Sequence, residues 1–552
     1  MRVLIGRMVP TEDNAELATD VYLPGPGKWP VVLIRTSYFR GDSLPFAEQF
    51  FKHGIGFVIQ DVRGKYDSTG KFEPLVYEAV DGHNTIDWIA NQPWSNGDVG
   101  LYGVSYLGIV QVPAASGQHE ALKCICPSAA PGNFFRDWIR YDGCFAWSNA
   151  VFWLLNHATL PNRTTMQHID KTKLWSGRTV QEVEQYAEMK LPWLAKWCEH
   201  DTDDAFWQSL NQDRMHEKIK VPGMHVGGWF DHLTRGQFNA YRSITDNGAT
   251  SIAREHQRLF IGPWGHMNIF KDAEIQRNYG DWDFGEASNI DVRAEEIRFI
   301  KYHLRGEDDG YANIPRAKIF VMGLNRWLDF ADWPIPGTQY QQWHLTSNGK
   351  ANTRHGDGKL APEEPATKQS DSYTYDPANP VPTIGGNIYW GNAKCGPVDI
   401  RETLDRDDVL VYRADPVDKP LTVIGEVELS VTLQTDVEDT DLVAKFGVEL
   451  PSGEMIVLTV GSLRLKFRDS WTDPTPLTPG NPVTVKLHLS QIGYQFAPGS
   501  RPFVSLTSSD FPRILPNTNT LQIFGNPRIA RHSVLTGSGA LSCLILPVVE
   551  GI

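Results

Sequence analysis

One run constrains this chain more than any other: Trp94-Ser95-Asn96-Gly97-Asp98-Val99-Gly100-Leu101-Tyr102-Gly103-Val104-Ser105-Tyr106-Leu107-Gly108. Val99-Gly100-Leu101-Tyr102 has the apolar character of a short buried strand, and the residues after Ser105 read as the start of a helix. A serine caught between the end of a strand and the start of a helix sits on a sharp turn. Its hydroxyl then stands clear of the backbone at the carboxyl end of a sheet. That placement requires a parallel sheet around it. If the hydroxyl is to act as a nucleophile, it also requires an acid and then a histidine further along the chain.

The surrounding sequence supplies such a sheet. Val31-Val32-Leu33-Ile34 and Gly56-Phe57-Val58-Ile59-Gln60 are further apolar runs of strand length, and Tyr77 to Asn91 carries apolar residues at a spacing near that of a helix. Strands alternating with helices predict a mostly parallel sheet covered on both faces. From residue 134 to 219 the chain becomes rich in Trp, Lys, Glu and Gln at helical spacing, which reads as a helical insertion. Strand patterns resume at Val221 to Gly228 and at Arg258 to Gly262. From 316 onward, short β-rich runs separated by Pro, Gly, Asp and Asn predict an all-β sandwich. Examples are Val409 to Tyr412, Leu421 to Ile424, Glu428 to Leu433 and Phe503 to Leu506, with 352–369 as a polar linking loop. The expected organisation is therefore an α/β domain in two parts, 1–133 and 220–315, a helical insertion over 134–219, and a β domain over 316–552.

A chain of 552 residues exceeds one ordinary core, in keeping with that division. Its 52 Lys and Arg against 66 Asp and Glu give a net charge of −14, and no basic run appears, which argues against a nucleic-acid partner. Cys124, Cys126, Cys144, Cys198, Cys395 and Cys543 are scattered, without zinc-ligand spacing, and read as thiols of a reducing compartment. The start of the chain shows neither a signal peptide nor a membrane-length apolar run, so a cytoplasmic protein without membrane contact is expected.

The two partners of Ser105 are found in the required order. Trp229-Phe230-Asp231 follows the strand ending at Gly228, and Gly262-Pro263-Trp264-Gly265-His266 follows the strand 258–262. Acids and bases just past the carboxyl ends of strands gather at one sheet edge. Each residue also has a plainer reading, Asp231 as a helix cap and His266 as one of sixteen histidines. It is the conjunction that predicts a triad Ser105, Asp231, His266. A metal hydrolase is the weaker reading: there is no His-Glu-x-x-His, and although His225, His232 and His266 could converge, the triad accounts better for His266. No metal or organic cofactor is expected.

Leu107 stands where the general Gly-x-Ser-x-Gly pattern has its second glycine, and Gly108 comes one residue later. The form Gly-x-Ser-Tyr-x-Gly resembles that of the CocE/NonD hydrolases, which include α-amino acid ester hydrolases and X-Pro dipeptidyl peptidases. Val32 to Tyr38, Gln60-Asp61-Val62-Arg63-Gly64, Gly227-Gly228-Trp229-Phe230-Asp231, Gly262 to His266, Tyr375 to Gly386, Arg406 to Tyr412 and Ser508-Ser509-Asp510-Phe511-Pro512-Arg513 match as well, over nearly the whole chain. The resemblance implies an α/β-hydrolase domain with an inserted helical cap and a C-terminal jelly-roll. It also implies an oxyanion hole made by the Tyr38 hydroxyl and the Tyr106 backbone N–H, although Ser37 stands where proline is common. By the same resemblance Trp138 and Trp153 fall near an acyl pocket, and Phe230, His232 and Leu233 flank the catalytic acid as further substrate-binding candidates. His232-Leu233-Thr234 lacks the carboxylates with which relatives acting on α-amino acid esters hold an ammonium group, although Asp137 and Asp142 could substitute. The expected activity is thus hydrolysis of a small-molecule carboxylic ester with an apolar or aryl acyl group. An X-Pro dipeptidyl peptidase or amide acylase is the alternative, and a carbohydrate-binding protein a remote one. A homo-oligomer is compatible with the sequence.

Overall fold

The computed structural model describes residues 1–41, 43–158, 170–269, 277–388, 394–540 and 542–552. Its first sheet has ten strands: β1 (Arg2–Pro10), β2 (Glu16–Leu23), β3 (Trp29–Thr36), β4 (Gly56–Asp61), β5 (Ser95–Val104), β6 (Leu122–Ser128), β7 (Gly223–Gly228), β8 (Gln257–Gly262), β9 (Ala317–Val321) and β10 (Arg326–Phe330). They lie in the order β1-β2-β4-β3-β5-β6-β7-β8-β9-β10. The stretch from β4 to β9 is parallel, and β1, β2 and β10 pair antiparallel at the two margins. The apolar runs of the sequence are the central strands; Val31, Val32, Phe57, Val58 and Val99 are fully buried, as strands covered on both faces must be.

Four helices matter for the site. They are α1 (Leu44–Phe51), α2 (Glu78–Ala90), the short α3 (Tyr106–Ile109) that follows Ser105, and α5 (Val292–Arg305); α4 (Thr234–Asn247) follows the loop of Asp231. Helix α2 runs between Tyr77 and Asn91 as cap residues, with Glu78 and Asp81 in its first turn, where carboxylates complement the helix dipole.

Between β6 and β7 the described chain is mainly helical, with segments Phe134–Asp137, Trp147–Trp153, Lys171–Ser176, Val180–Ala187, Pro192–Glu199 and Ala205–Leu210. A small hairpin joins Arg140–Tyr141 to Cys144–Phe145, which helical spacing did not predict. Asp142-Gly143 turns it, with both residues at positive φ, the signature of a tight two-residue hairpin.

The C-terminal part is β-rich: an eleven-stranded sheet system runs from Gln339–Thr346 to Cys543–Val548. The runs 421–424 and 428–433 are one long strand, Leu421–Thr435, whose register shifts between Glu426 and Glu428 where it pairs with Val483–Phe496. The segment expected as a linking loop carries the strand Lys359–Ala361. The expected division at 315/316 is corrected by β9 and β10, which continue the first sheet to Phe330. One continuous core then joins the two parts, from Trp229, Phe238 and Ile319 to Leu429, Val448 and Ile492. Among the described residues no helix is long and apolar enough to cross a membrane.

Candidate active site

Ser105 is held at φ 62° and ψ −128°, a conformation that a residue with a side chain seldom adopts. The neighbouring glycines explain how. Gly103 has φ 146°, and a Cβ there would meet the Leu107 Cβ at 2.4 Å. A Cβ on Gly108 would meet the carbonyl oxygens of Ser128 at 2.6 Å and Gly103 at 3.1 Å. The helix start is therefore pressed against β5 and β6 at position 108, while position 107 has room for a leucine that packs into two cores. This is why the second glycine falls three residues after the serine. The Ser105 N–H donates to the Ser128 carbonyl at 3.0 Å, and the Ser105 carbonyl accepts from Gly108 and Ile109 at 2.8 Å each.

A buried carboxyl braces this turn from below. The Ser128 hydroxyl donates to Glu296 Oε1 at 2.5 Å, from the first turns of α5. Burial pushes the Glu296 carboxyl up to about 7, against the hydrogen bonds of Ser128 and Tyr102. The unfolded chain ionises this group near its ordinary value, so between that value and about 7 unfolding releases a proton and stability falls as pH rises. Glu296→Gln keeps the acceptor and removes the titration. Its melting temperature is expected to exceed that of the wild type at pH 8 and to match it at pH 5. Equal differences at both pH values would contradict this.

The loops after β7 and β8 are tied together. Trp229 N–H donates to the Gly262 carbonyl and Phe230 N–H to the Trp264 carbonyl, each at 2.9 Å. This brings His266 Nδ1 to 2.9 Å from Asp231 Oδ2 and 3.1 Å from Oδ1. Oδ1 also accepts from the Leu233 N–H at 2.9 Å and lies 3.3 Å from His232 Nδ1. Burial pushes Asp231 up, but His266 and His232 reverse this and hold it well below the ordinary carboxylate range. Burial brings His232 down to about 4, so its imidazole is neutral near pH 7. A neutral ring facing a carboxylate must place its proton on the facing nitrogen, because two lone pairs would repel. His232 thus sets a second imidazole beside Asp231.

On the other side of Ser105, Tyr38 follows β3. Its hydroxyl lies 3.3 Å from Ser105 Oγ and accepts from Trp153 Nε1–H at 3.3 Å. Burial raises the pKa of this phenol, against the contacts with Ser105 and Trp153. A phenol that accepts the indole N–H and stays protonated has its own proton left for Ser105 Oγ. Tyr106 is anchored in turn: its hydroxyl donates to Glu78 Oε1 at 2.6 Å, and Glu78 pairs with the buried Arg35 at 2.6 Å. The roles of Glu78, Arg35 and Glu296 were not found from the sequence. Glu78 and Glu296 showed only as charged residues within helical apolar periodicity, a pattern many surface helices share, and Arg35 only as one residue of the run Val32 to Tyr38. If the phenol stabilises an oxyanion, Tyr38→Phe should lower kcat by about 10²–10³ with little change in KM. A loss below tenfold would remove it from that role.

The remaining candidates divide. Trp138 and Trp153 meet edge to face at 5.2 Å, and Trp153 stacks on Tyr106 at 5.8 Å and on Trp197 at 6.2 Å. Leu233 joins the same core. Both indoles are buried, so they bind the helices to the elbow and Trp153 fixes the phenol. Phe230 is not brought to them: it packs into the core between the domains, against Tyr279 at 5.9 Å. Asp231, His232 and His266 present ligand atoms within 4.8 Å of one another, as do Glu426, Glu428 and His488 on the C-terminal part. His225 does not join them; its Nε2 lies 2.9 Å from Gln257 Oε1.

An α/β domain that carries a serine on a strained strand-to-helix turn, with a buried histidine–aspartate pair at the same sheet edge, defines the serine hydrolases of α/β architecture. Comparison with known proteins narrows the class. Residues 13–268 match the family described as X-Pro dipeptidyl-peptidase (S15 family), and residues 309–544 its C-terminal non-catalytic domain. The chain is 32% identical to the cocaine esterase of Rhodococcus sp. (strain MB1 Bresler), over 98% of each chain. Solved structures with the same fold include an aminopeptidase from a marine sediment archaeon, Thaumarchaeota archaeon (26% identity, TM-score 0.86, 99% of this chain and 96% of that one). Another is an α-amino acid ester hydrolase (25% identity, TM-score 0.83, with the same coverage). The chain belongs to the CocE/NonD family of serine hydrolases.

Proposed function

We propose that this protein is a serine carboxylesterase that works through an acyl-enzyme, with Ser105, His266 and Asp231 as its triad. The observation that carries the reading is the buried His266–Asp231 pair at 2.9 Å, on the sheet edge that also presents Ser105. His266 takes the Ser105 proton as the hydroxyl attacks the ester carbonyl. The Tyr38 hydroxyl and the Tyr106 N–H receive the negative charge of the tetrahedral intermediate. His266 then hands the proton to the departing alkoxide, and water repeats the sequence to release the acid. Asp231 keeps the imidazole in the tautomer this requires.

An ester substrate without a free α-amine is favoured by the fate of the nearby acids. Asp142 lies 2.6 Å and Asp137 3.4 Å from Arg235, and Arg136 lies 3.2 Å from Asp142. The carboxylates that could have held a substrate ammonium are already neutralised by side chains of this chain. The wild type is therefore expected to hydrolyse a phenylacetate ester at least tenfold faster, in kcat/KM, than the matching phenylglycine ester, and Arg235→Ala to narrow that ratio. An unchanged ratio in the variant would separate Arg235 from substrate choice.

The second reading, an X-Pro dipeptidyl peptidase or amide acylase, rests on the family match and uses the same residues. A fluorophosphonate probe with peptide mapping, together with p-nitrophenyl esters and X-Pro-p-nitroanilides, tests both. Label on Ser105 with ester turnover supports the esterase. Efficient anilide turnover with negligible ester turnover overturns it, and absence of label overturns both.

We further assign the helical segment 134–219 as a cap over the site and the C-terminal strands as a jelly-roll. The six cysteines are thiols, which supports a reducing, cytoplasmic setting. The partner is a small ester, and self-association is left to direct measurement.

A further inference from the structure

Two elements far apart in the chain converge on the Tyr38 ring. The first is the helix Trp147–Trp153, which widens into a π-helical turn over Leu154–Ala158. Trp153 and His157, four residues apart, share one face of it. The Trp153 indole N–H reaches the Tyr38 hydroxyl at 3.3 Å, and the His157 ring meets the Tyr38 ring edge to face at 4.5 Å. The second element is the loop after β4. There the buried Lys65 donates from Nζ to the His157 carbonyl at 2.7 Å, with its ammonium 5.2 Å over the Phe72 ring.

A lysine is a costly choice at such a place. Burial pushes its amine down to about 8, against the pull of Asp61. Methionine would fill the same room without giving up a hydrated charge. What lysine adds is a donor long enough to cross from the sheet domain to the carbonyl of a residue that touches the phenol. The tilt of the Tyr38 ring decides where its hydroxyl stands, and a misplacement of about 1 Å in a catalytic group can cost about 10²-fold in rate. Resting on the esterase reading, we propose that Lys65 is a positioning residue for the oxyanion donor. It clasps the helical segment at His157, and His157 with Trp153 sets the Tyr38 hydroxyl toward Ser105. Lys65 then acts through Tyr38, so its removal should matter only while the phenol is present.

A double-variant cycle on the full chain tests this. Rates for p-nitrophenyl acetate are taken per active site, counted with a fluorophosphonate label, so that misfolded protein drops out of the comparison. Lys65→Met should lower kcat about tenfold with KM little changed, a part of the about 10²–10³ that one oxyanion donor is worth. In the Tyr38→Phe background the same substitution should change kcat less than about twofold, because the hydroxyl it positions is absent. Should Lys65→Met not fold, His157→Ala removes the ring contact from the other side and is read in the same two backgrounds. An equal loss with and without the Tyr38 hydroxyl, or no loss with it, overturns the proposal and leaves the esterase standing. If Tyr38→Phe alone costs less than about tenfold, the phenol is no oxyanion donor and the clasp falls with it. If Ser105 takes no label and esters are not turned over, it is the esterase reading that fails.

Discussion

Ser105→Ala is expected to lower kcat for p-nitrophenyl esters by about 10⁶, and to leave about 10³-fold catalysis over water from the remaining donors and from binding. The size follows from the way the triad works as a unit. Without Oγ there is no acyl-enzyme, His266 has no proton to take, and the Tyr38 hydroxyl faces a methyl group 67 positions along the chain from its own backbone. The fold should be indifferent, because Ser105 keeps its place through backbone bonds to Ser128, Gly108 and Ile109 and not through its side chain. Ser105→Gly carries the argument one step further. A positive φ costs a residue with a side chain about 1–2 kcal/mol, so glycine should be equally inactive and should melt at a higher temperature than the wild type. Esterase activity in Ser105→Ala equal to that of the wild type would dismiss the triad altogether.

What the sequence made legible was whatever depends on local pattern. The apolar runs at 31–34, 56–60 and 99–102 are the central strands, and Tyr77 to Asn91 brackets α2 to the residue. Ser105, Asp231 and His266 stand out in the sequence because strand-then-turn placement is itself a local signal, and the structure sets the last two 2.9 Å apart. What escaped depends on partners distant in the chain. The strands after 316 look β-rich locally, but only pairing with β8 assigns β9 to the first sheet. Phe230 adjoins Asp231 in sequence, yet the turn that follows β7 carries it into the interdomain core. Trp138 and Trp153 had the right chemistry for a pocket wall, but whether an indole lines a pocket or fills a core depends on neighbours such as Trp197, 44 residues beyond Trp153. The substitute acids Asp137 and Asp142 were visible as candidates; that Arg235 neutralises them was not.

Asp231→Asn should cost about 10⁴ in kcat, more than the loss of a single negative charge would suggest. Three N–H-bearing groups surround this carboxylate: His266 Nδ1 and the Leu233 backbone N–H bond to it, and His232 Nδ1 lies 3.3 Å from Oδ1. A carboxylate has acceptor sites for all of them, whereas asparagine offers one oxygen and adds an NH₂ group. If its oxygen stays with the fixed Leu233 N–H and His232, the NH₂ faces His266. Donor then meets donor, and the imidazole relieves the clash by moving its proton to Nε2. That tautomer presents N–H, not a lone pair, to Ser105, and it cannot accept the serine proton. KM for a p-nitrophenyl ester should change little, because no substrate contact is lost, so kcat and kcat/KM should fall together. His232 gives the check on this reasoning. In the double variant Asp231→Asn, His232→Ala one of the competing donors is gone, the amide has freedom to rotate its oxygen toward His266, and part of the lost kcat should return. Equal rates in the single and double variants would show that charge, and not tautomer, is what Asp231 supplies.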